Sequence, residues 1–407
     1  MTVLRYGTDS SVHLESVNGK APHLCGEPQG MPLGDLAAAV AAALDQPLDY
    51  PPLRQSTTAG DRVVVALGQG LPRAAEITAA VIHALTAAGV DPDGICVLRT
   101  EADVAAAPGD PRRLIEDSLC QRIRLLTHDP ANRPGMAYLT ANDRGEPIFL
   151  NRQVTDADLV LPIGRLQDES AAGCFGMHDS LYPAMSDYRT QARFRRLDLP
   201  QGGGKPHQAL VHEVDQVAWL LGISFTVQMV PAAGDGVLHV LAGASEAVRR
   251  RSRELYRAAW ACQVAHRASL VVAAIEGGPQ QQTWENLGRA LEAAVRLVEE
   301  GGTIALCCDL AAPPGAAVQC LRGARSRDTA MRQIRHDSLD DALPAAQLAH
   351  ALDHGHVYLL SRLDAALVED LEMVPIGDPQ ELGRLTRRHD SCILLANAPQ
   401  AMVRITT

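Results

Sequence analysis

Residues 158–187 read Asp-Leu-Val-Leu-Pro-Ile-Gly-Arg-Leu-Gln-Asp-Glu-Ser-Ala-Ala-Gly-Cys-Phe-Gly-Met-His-Asp-Ser-Leu-Tyr-Pro-Ala-Met-Ser-Asp. Within them 159–163 is a short apolar run, the pattern of a buried strand. At Gly164 it breaks into a loop mixing glycines, acids, one His and one Cys. Loops at the ends of buried strands are where α/β proteins keep their sites. The segment 61–94 has the same design. Residues 62–67 are almost all Val and Ala, Gly68-Gln69-Gly70 turns the chain, Pro72 suits a first helical turn, and Ile77, Val81, Ile82 and Leu85 form an apolar stripe. Such a turn is either a plain tight turn or an anion site built from free N–H groups at a helix start. The pattern predicts the α/β class: two α/β domains with mainly parallel sheets flanked by helices and an active-site cleft between them. The expected division is a lead-in at 1–60, a first domain at 61–200 and a second at 207–407.

Gly164, Gly173, Gly176 and Pro183 fall without gaps on the signature Gly-x-x-x-Pro-His-x-x-x-Gly-x-Ser-Gly-Gly-x-Lys-x-x-x-Pro. Here the chain resembles the nickel-dependent lactate racemase (LarA-type) family, as does the lead-in 147–163 with its Asn-Arg-x-Val-x-x-Ala-Asp-Leu-Val. The polar positions differ: Asp168 stands at the signature Pro, Glu169 at its His, and Phe175, Met177 and Asp179 at its Ser, second Gly and Lys. In the family that Lys carries a pincer cofactor through a thioamide, and the His ligates nickel or moves a proton. Asp179 cannot form the thioamide, so the resemblance implies the fold without a covalent nickel pincer.

The resemblance extends to other strand ends. The family's carboxylate-holding Arg falls on Leu71, with Arg73 the next cation along. Its proton-shuttling His falls on Glu101, and a further catalytic His on Arg195. Its Gln and Lys that touch cofactor and substrate fall on Asn286 and Arg289, three residues apart and so on one helix face. Thr127-His128-Asp129 and Val211-His212-Glu213 also resemble the family; on the residues alone, His128 reads as a hydrogen-bonded loop residue that orients the chain.

The chain of 407 residues is long enough for two cores, and with aromatics at 3% the packing falls to Val, Leu, Ile and Ala. A formal charge of −11 argues against nucleic acid, which needs clustered Lys and Arg. Nine scattered Cys without a Cys-x-x-Cys pair fit a reducing cytoplasm rather than a disulfide framework or zinc site. The start lacks a basic-then-apolar signal and no apolar run has spanning length, so a soluble, cytoplasmic protein with no membrane partner is expected.

Farther along, 201–206, Gln-Gly-Gly-Gly-Lys-Pro, reads as the interdomain linker. Segments 225–231 and 237–242 read as paired strands of the second domain, and 245–265 as one long helix with Ser245 as N-cap. Segments 270–275, 303–309, 357–361 and 392–397 read as buried strands, with a helix opening near Trp284. Cys307 and Cys308 read as core, and His350 and His354 lack the adjoining Glu of a zinc peptidase.

Racemising a 2-hydroxy acid by hydride transfer requires a hydride carrier, bases for the hydroxyl proton and a cation for the carboxylate. The candidates are Glu101, Glu169 and Arg195 as catalytic groups; Asp179, His178 and Asn286 at the cofactor; and Arg73, Arg165 and Arg289 for substrate. Glu101, Glu169, Asp179 and His178 would suit a hard divalent ion such as magnesium or manganese, with Glu169 and Asp179 as its nearest ligands. The expected function is a racemase or epimerase of a small 2-hydroxy acid with an altered cofactor site. The alternative is an inactive scaffold that binds a small molecule or a protein partner.

Overall fold

The computed structural model describes residues 2–14, 22–106, 109–168, 171–195, 204–324 and 326–406. Two six-stranded sheets dominate. The first runs, edge to edge, Val237–Ala244, Phe225–Pro231, Leu159–Arg165, Val63–Leu67, Ile95–Thr100 and Arg124–His128, parallel except for the antiparallel edge Val237–Ala244. The second is parallel throughout: Val374–Pro375, His356–Leu360, Val298–Cys307, Ala268–Ala274, Cys392–Leu395 and His23–Cys25. Their central strands are apolar on both faces because helices cover both sides. This is the α/β class expected from the sequence.

Chain order reverses in the first sheet between Val63–Leu67 and Leu159–Arg165, and in the second between Ala268–Ala274 and Cys392–Leu395. Strands on either side of a reversal send their following segments to opposite faces and leave a crevice at their carboxyl ends. In the first sheet that crevice lies between the turn after Leu67 and the loop after Arg165.

The expected division at about 200 is corrected by the pairing. Phe225–Pro231 is buried along its whole length and joins Leu159–Arg165, so both strands assigned to the second domain complete the first sheet. Lys205 and Pro206, read as linker, open the helix Lys205–Leu220; residues 201–203 lie outside the described residues. That helix packs Leu210, Val214 and Val217 onto the first sheet. The 245–265 helix is shorter than expected, running Ser245–Trp260, because Ala261–Val264 is captured by Met402–Ile405 as a strand pair. Ser245 is not its N-cap: Ala244 holds that position, and the Ser245 hydroxyl donates to the Ile223 carbonyl. The lead-in serves both halves. His23–Cys25 forms an edge of the second sheet, while the helix Leu36–Asp45 packs on Ala74–Ala87 and Val237–Ala244 of the first. Among the described residues no helix is long and apolar enough to cross a membrane.

Candidate functional site

Two turns meet at the reversal of the first sheet. Gly68 N–H donates to Ile163 O at 2.7 Å, tying the end of one strand to the next. Gly70 follows with φ +65°, and the Arg165 guanidinium lies across it; a Cβ there would stand 3.4 Å from Arg165 Nε. Asp103 anchors the turn from beside, accepting from Thr100 Oγ1 at 2.6 Å, from Thr100 N–H, and from Gly70 N–H. Opposite, the buried Gln228 donates to Met177 O at 3.2 Å and packs against Gly164, where a Cβ would come within 2.9 Å of its amide. Gly164 is therefore needed for close approach.

Arg165 and Asp179, both from residues 158–187, line this crevice, and the charge of Arg289, on the helix Trp284–Val295, reaches both of them. Burial pulls the Arg165 pKa down to about 10, and repulsion from Arg289 adds to it. Its Nε is shut off from solvent and has no hydrogen-bond partner among the described residues. Asp179 keeps some surface on the cavity while protein crowds its other sides. Burial raises its pKa to about 6, against backbone N–H groups of Phe175 and Ser180 and the charges of Arg289 and Arg165. Tyr256 packs close by with its hydroxyl donating to Gln400 O at 2.8 Å. The cavity between Arg165, Gln167, Cys174, Asp179, Gln228 and Arg249 measures about 20 Å³, room for a water-sized group.

The other candidates lie around this center or away from it. His178 is buried, with its pKa lowered to about 4 by burial and by Arg249, and its Nδ1 has no hydrogen-bond partner among the described residues; it lies within electrostatic reach of Arg249 and Asp215. Asn286 is buried too, but its amide is spent on Gln281 O at 2.9 Å and on accepting from Arg289 at 3.4 Å, so it positions that arginine. Arg73 turns away from the crevice to Glu76, at 2.8 Å, and to Leu33 O, which leaves the clamp at this turn to Arg165. Glu101 is exposed at the start of the helix Glu101–Ala106, within electrostatic reach of the buried His128, whose pKa burial lowers. Arg195 bonds Gln191 at 2.8 Å and reaches Asp340 of the second unit. Glu169 lies outside the described residues. His128 has both ring nitrogens engaged, Asn151 donating to Nδ1 at 3.1 Å and Nε2–H donating to Ser186 O at 2.8 Å.

The residues present do not fit a tethered nickel pincer. The position that would carry the link is a carboxylate set between two guanidiniums, and the chain has only two lysines, Lys20 and Lys205. Lys205 is exposed at the first turn of its helix and Lys20 lies outside the described residues. Among the described residues no three His, Cys, Asp or Glu side chains stand together as a cation site.

Sequence reasoning missed two groups. Asp103 carried a readable signal, the Thr100-x-x-Asp103 spacing of a local cap. Gln228 is a polar residue inside an apolar run, and its distant partner, Met177 O, could not be read locally.

Residues 10–197 match the family model for the lactate racemase N-terminal domain. Among solved structures, the lactate racemase apoprotein of Thermoanaerobacterium thermosaccharolyticum is similar over 99% of this chain and 99% of its own, with a TM-score of 0.76 and 17% identity. A crystal structure of a Thermotoga maritima protein is similar over 92% of this chain and 100% of its own, with a TM-score of 0.66 and 13% identity. No curated protein matches this sequence.

Proposed function

We propose that this chain, a LarA-like protein whose residues 10–197 match the lactate racemase N-terminal domain and whose whole length has the lactate racemase fold, is a racemase or epimerase of a small 2-hydroxy acid with an altered cofactor site. The observation that carries the reading is the enclosed Arg165 Nε, which has no hydrogen-bond partner among the described residues and lies within electrostatic reach of Arg289 and Asp179. A carboxylate is the ligand that satisfies such a donor, because a charge-assisted bond offsets the cost of keeping a guanidinium out of water. Asp179, poised at about 6, suits moving the hydroxyl proton of the same ligand near neutral pH. Arg289, carried by the helix Trp284–Val295, would add a second cation to hold the acid.

A second reading rests on the missing tether: the same cleft without a hydride acceptor would bind the acid and leave its configuration unchanged. Titration calorimetry with D- and L-lactate and longer 2-hydroxy acids, paired with a chiral assay of the recovered acid, separates them. Binding with interconversion supports the isomerase, and binding alone supports the scaffold. Arg165→Gln is expected to weaken binding about 10- to 100-fold, the worth of one charge-assisted bond. No binding of any 2-hydroxy acid overturns both readings.

A further inference from the structure

Cys25 and Cys262 are far apart in sequence, yet their thiols share a hydrogen bond. Cys25 ends the edge strand His23–Cys25 and is buried, its carbonyl accepting Ala396 N–H at 2.8 Å. Cys262 lies opposite Val403 in the small sheet formed by Ala261–Val264 and Met402–Ile405, and keeps part of its surface accessible. The Gly26 N–H also donates to the Cys262 sulfur, so a thiolate there is met by two donors. The bond from Cys25 draws the Cys262 pKa down to about 7, while the same bond and burial push Cys25 up. Burial drives the enclosed thiols Cys308 and Cys392 the other way, up to about 12.

Both cysteines sit on crossings between the two units. After Cys25 the chain runs to the helix Leu36–Asp45 against the first sheet; Cys262 follows the helix Ser245–Trp260 on its way into the second. Gln29 N–H donates to Ala259 O at 2.8 Å, so the crossings already run side by side.

We propose that Cys25 and Cys262 form a peroxide-sensitive dithiol that closes to a disulfide and ties these two crossings together. The Cys262 thiolate attacks a peroxide oxygen; the O–O bond breaks, the S–O bond of a sulfenic acid forms, and the first water leaves. The Cys25 sulfur then attacks the Cys262 sulfur, the S–O bond breaks and a second water leaves. Two thiols supply the two electrons that reduce one hydrogen peroxide to two waters. The product ties together the two places where the chain passes between the sheets.

The test uses the full-length protein. After one equivalent of hydrogen peroxide, alkylation of the unfolded chain should find two of the nine thiols blocked, with a linked peptide joining Cys25 to Cys262 and reversal by dithiothreitol. Before oxidation, iodoacetamide at pH 7 should label Cys262 about tenfold faster than the partly exposed Cys120 and Cys320. In Cys25→Ser the oxidation should stop at a dimedone-reactive Cys262, and Cys262→Ser should give neither product. Nine alkylated thiols after peroxide, or a linked peptide joining other cysteines, would overturn the proposal. The two deciding readouts, the thiol count and the linked peptide, are made on the unaltered chain, so a variant that fails to fold leaves the decision intact.

Discussion

His178 and Asp179 are neighbours in sequence and pull the pH dependence of stability in opposite directions. His178 falls from 6.5 in the unfolded chain to about 4 in the fold, so its contribution is present above pH 6.5 and lost as the pH drops through 4. Asp179 rises from 3.8 to about 6, so its contribution is full below 3.8 and lost as the pH climbs through 6. Each shift is worth roughly 3 kcal/mol, and the two nearly cancel across the window. Asp179→Asn should expose the histidine alone: urea unfolding is expected to show about 3 kcal/mol more loss than the parent between pH 6.5 and 4. A profile unchanged from the parent's would show that the Asp179 pKa is not raised, and a flat profile in the variant would show that His178 does not stay neutral. The sequence pointed to Arg165 because it closes a recognisable strand, and to Asp179 because it falls on the Lys position of the family signature. The roles of Arg73 and Asn286 were not, because each is decided by hydrogen-bond partners, Glu76 and Gln281, that compete for the same side chain.

Among the elements, the Gly68–Gly70 turn is where backbone conformation and site geometry meet. Gly70→Ala forces a Cβ into the left-handed region and against Arg165, and is expected to cost about 1–2 kcal/mol in urea unfolding and to weaken 2-hydroxy acid binding as well. Gly89 is the control: it also has a positive φ, +94°, but open space around it, so Gly89→Ala should lower stability and leave binding unchanged. Equal binding losses in both variants would detach the turn from the site. Elements with dense apolar runs were readable, since Val63–Leu67 and Ala268–Ala274 can only be central strands. The end of the helix at Trp260 was not, because Ala261–Val264 becomes a strand only by pairing with Met402–Ile405 from the far end of the chain.

For the whole molecule, the misplaced division at residue 200 has the same origin: a Gly-rich stretch is visible locally, whereas the membership of a parallel strand is set by distant partners. A fragment of residues 61–200 lacks two of the six strands of its sheet and the helix Lys205–Leu220, and is expected to give no cooperative unfolding transition by circular dichroism. A fragment of residues 30–260 keeps the sheet together with the helices that cover it and should unfold cooperatively; failure of that fragment would place the boundary elsewhere. The split origin of the two arginines, one hung from each sheet, carries a last consequence. A guest gripped by both acts as a rivet, so the vacant protein should show two overlapping calorimetric endotherms that fuse into one at saturation, and a guest held by one half alone would raise only one of the peaks.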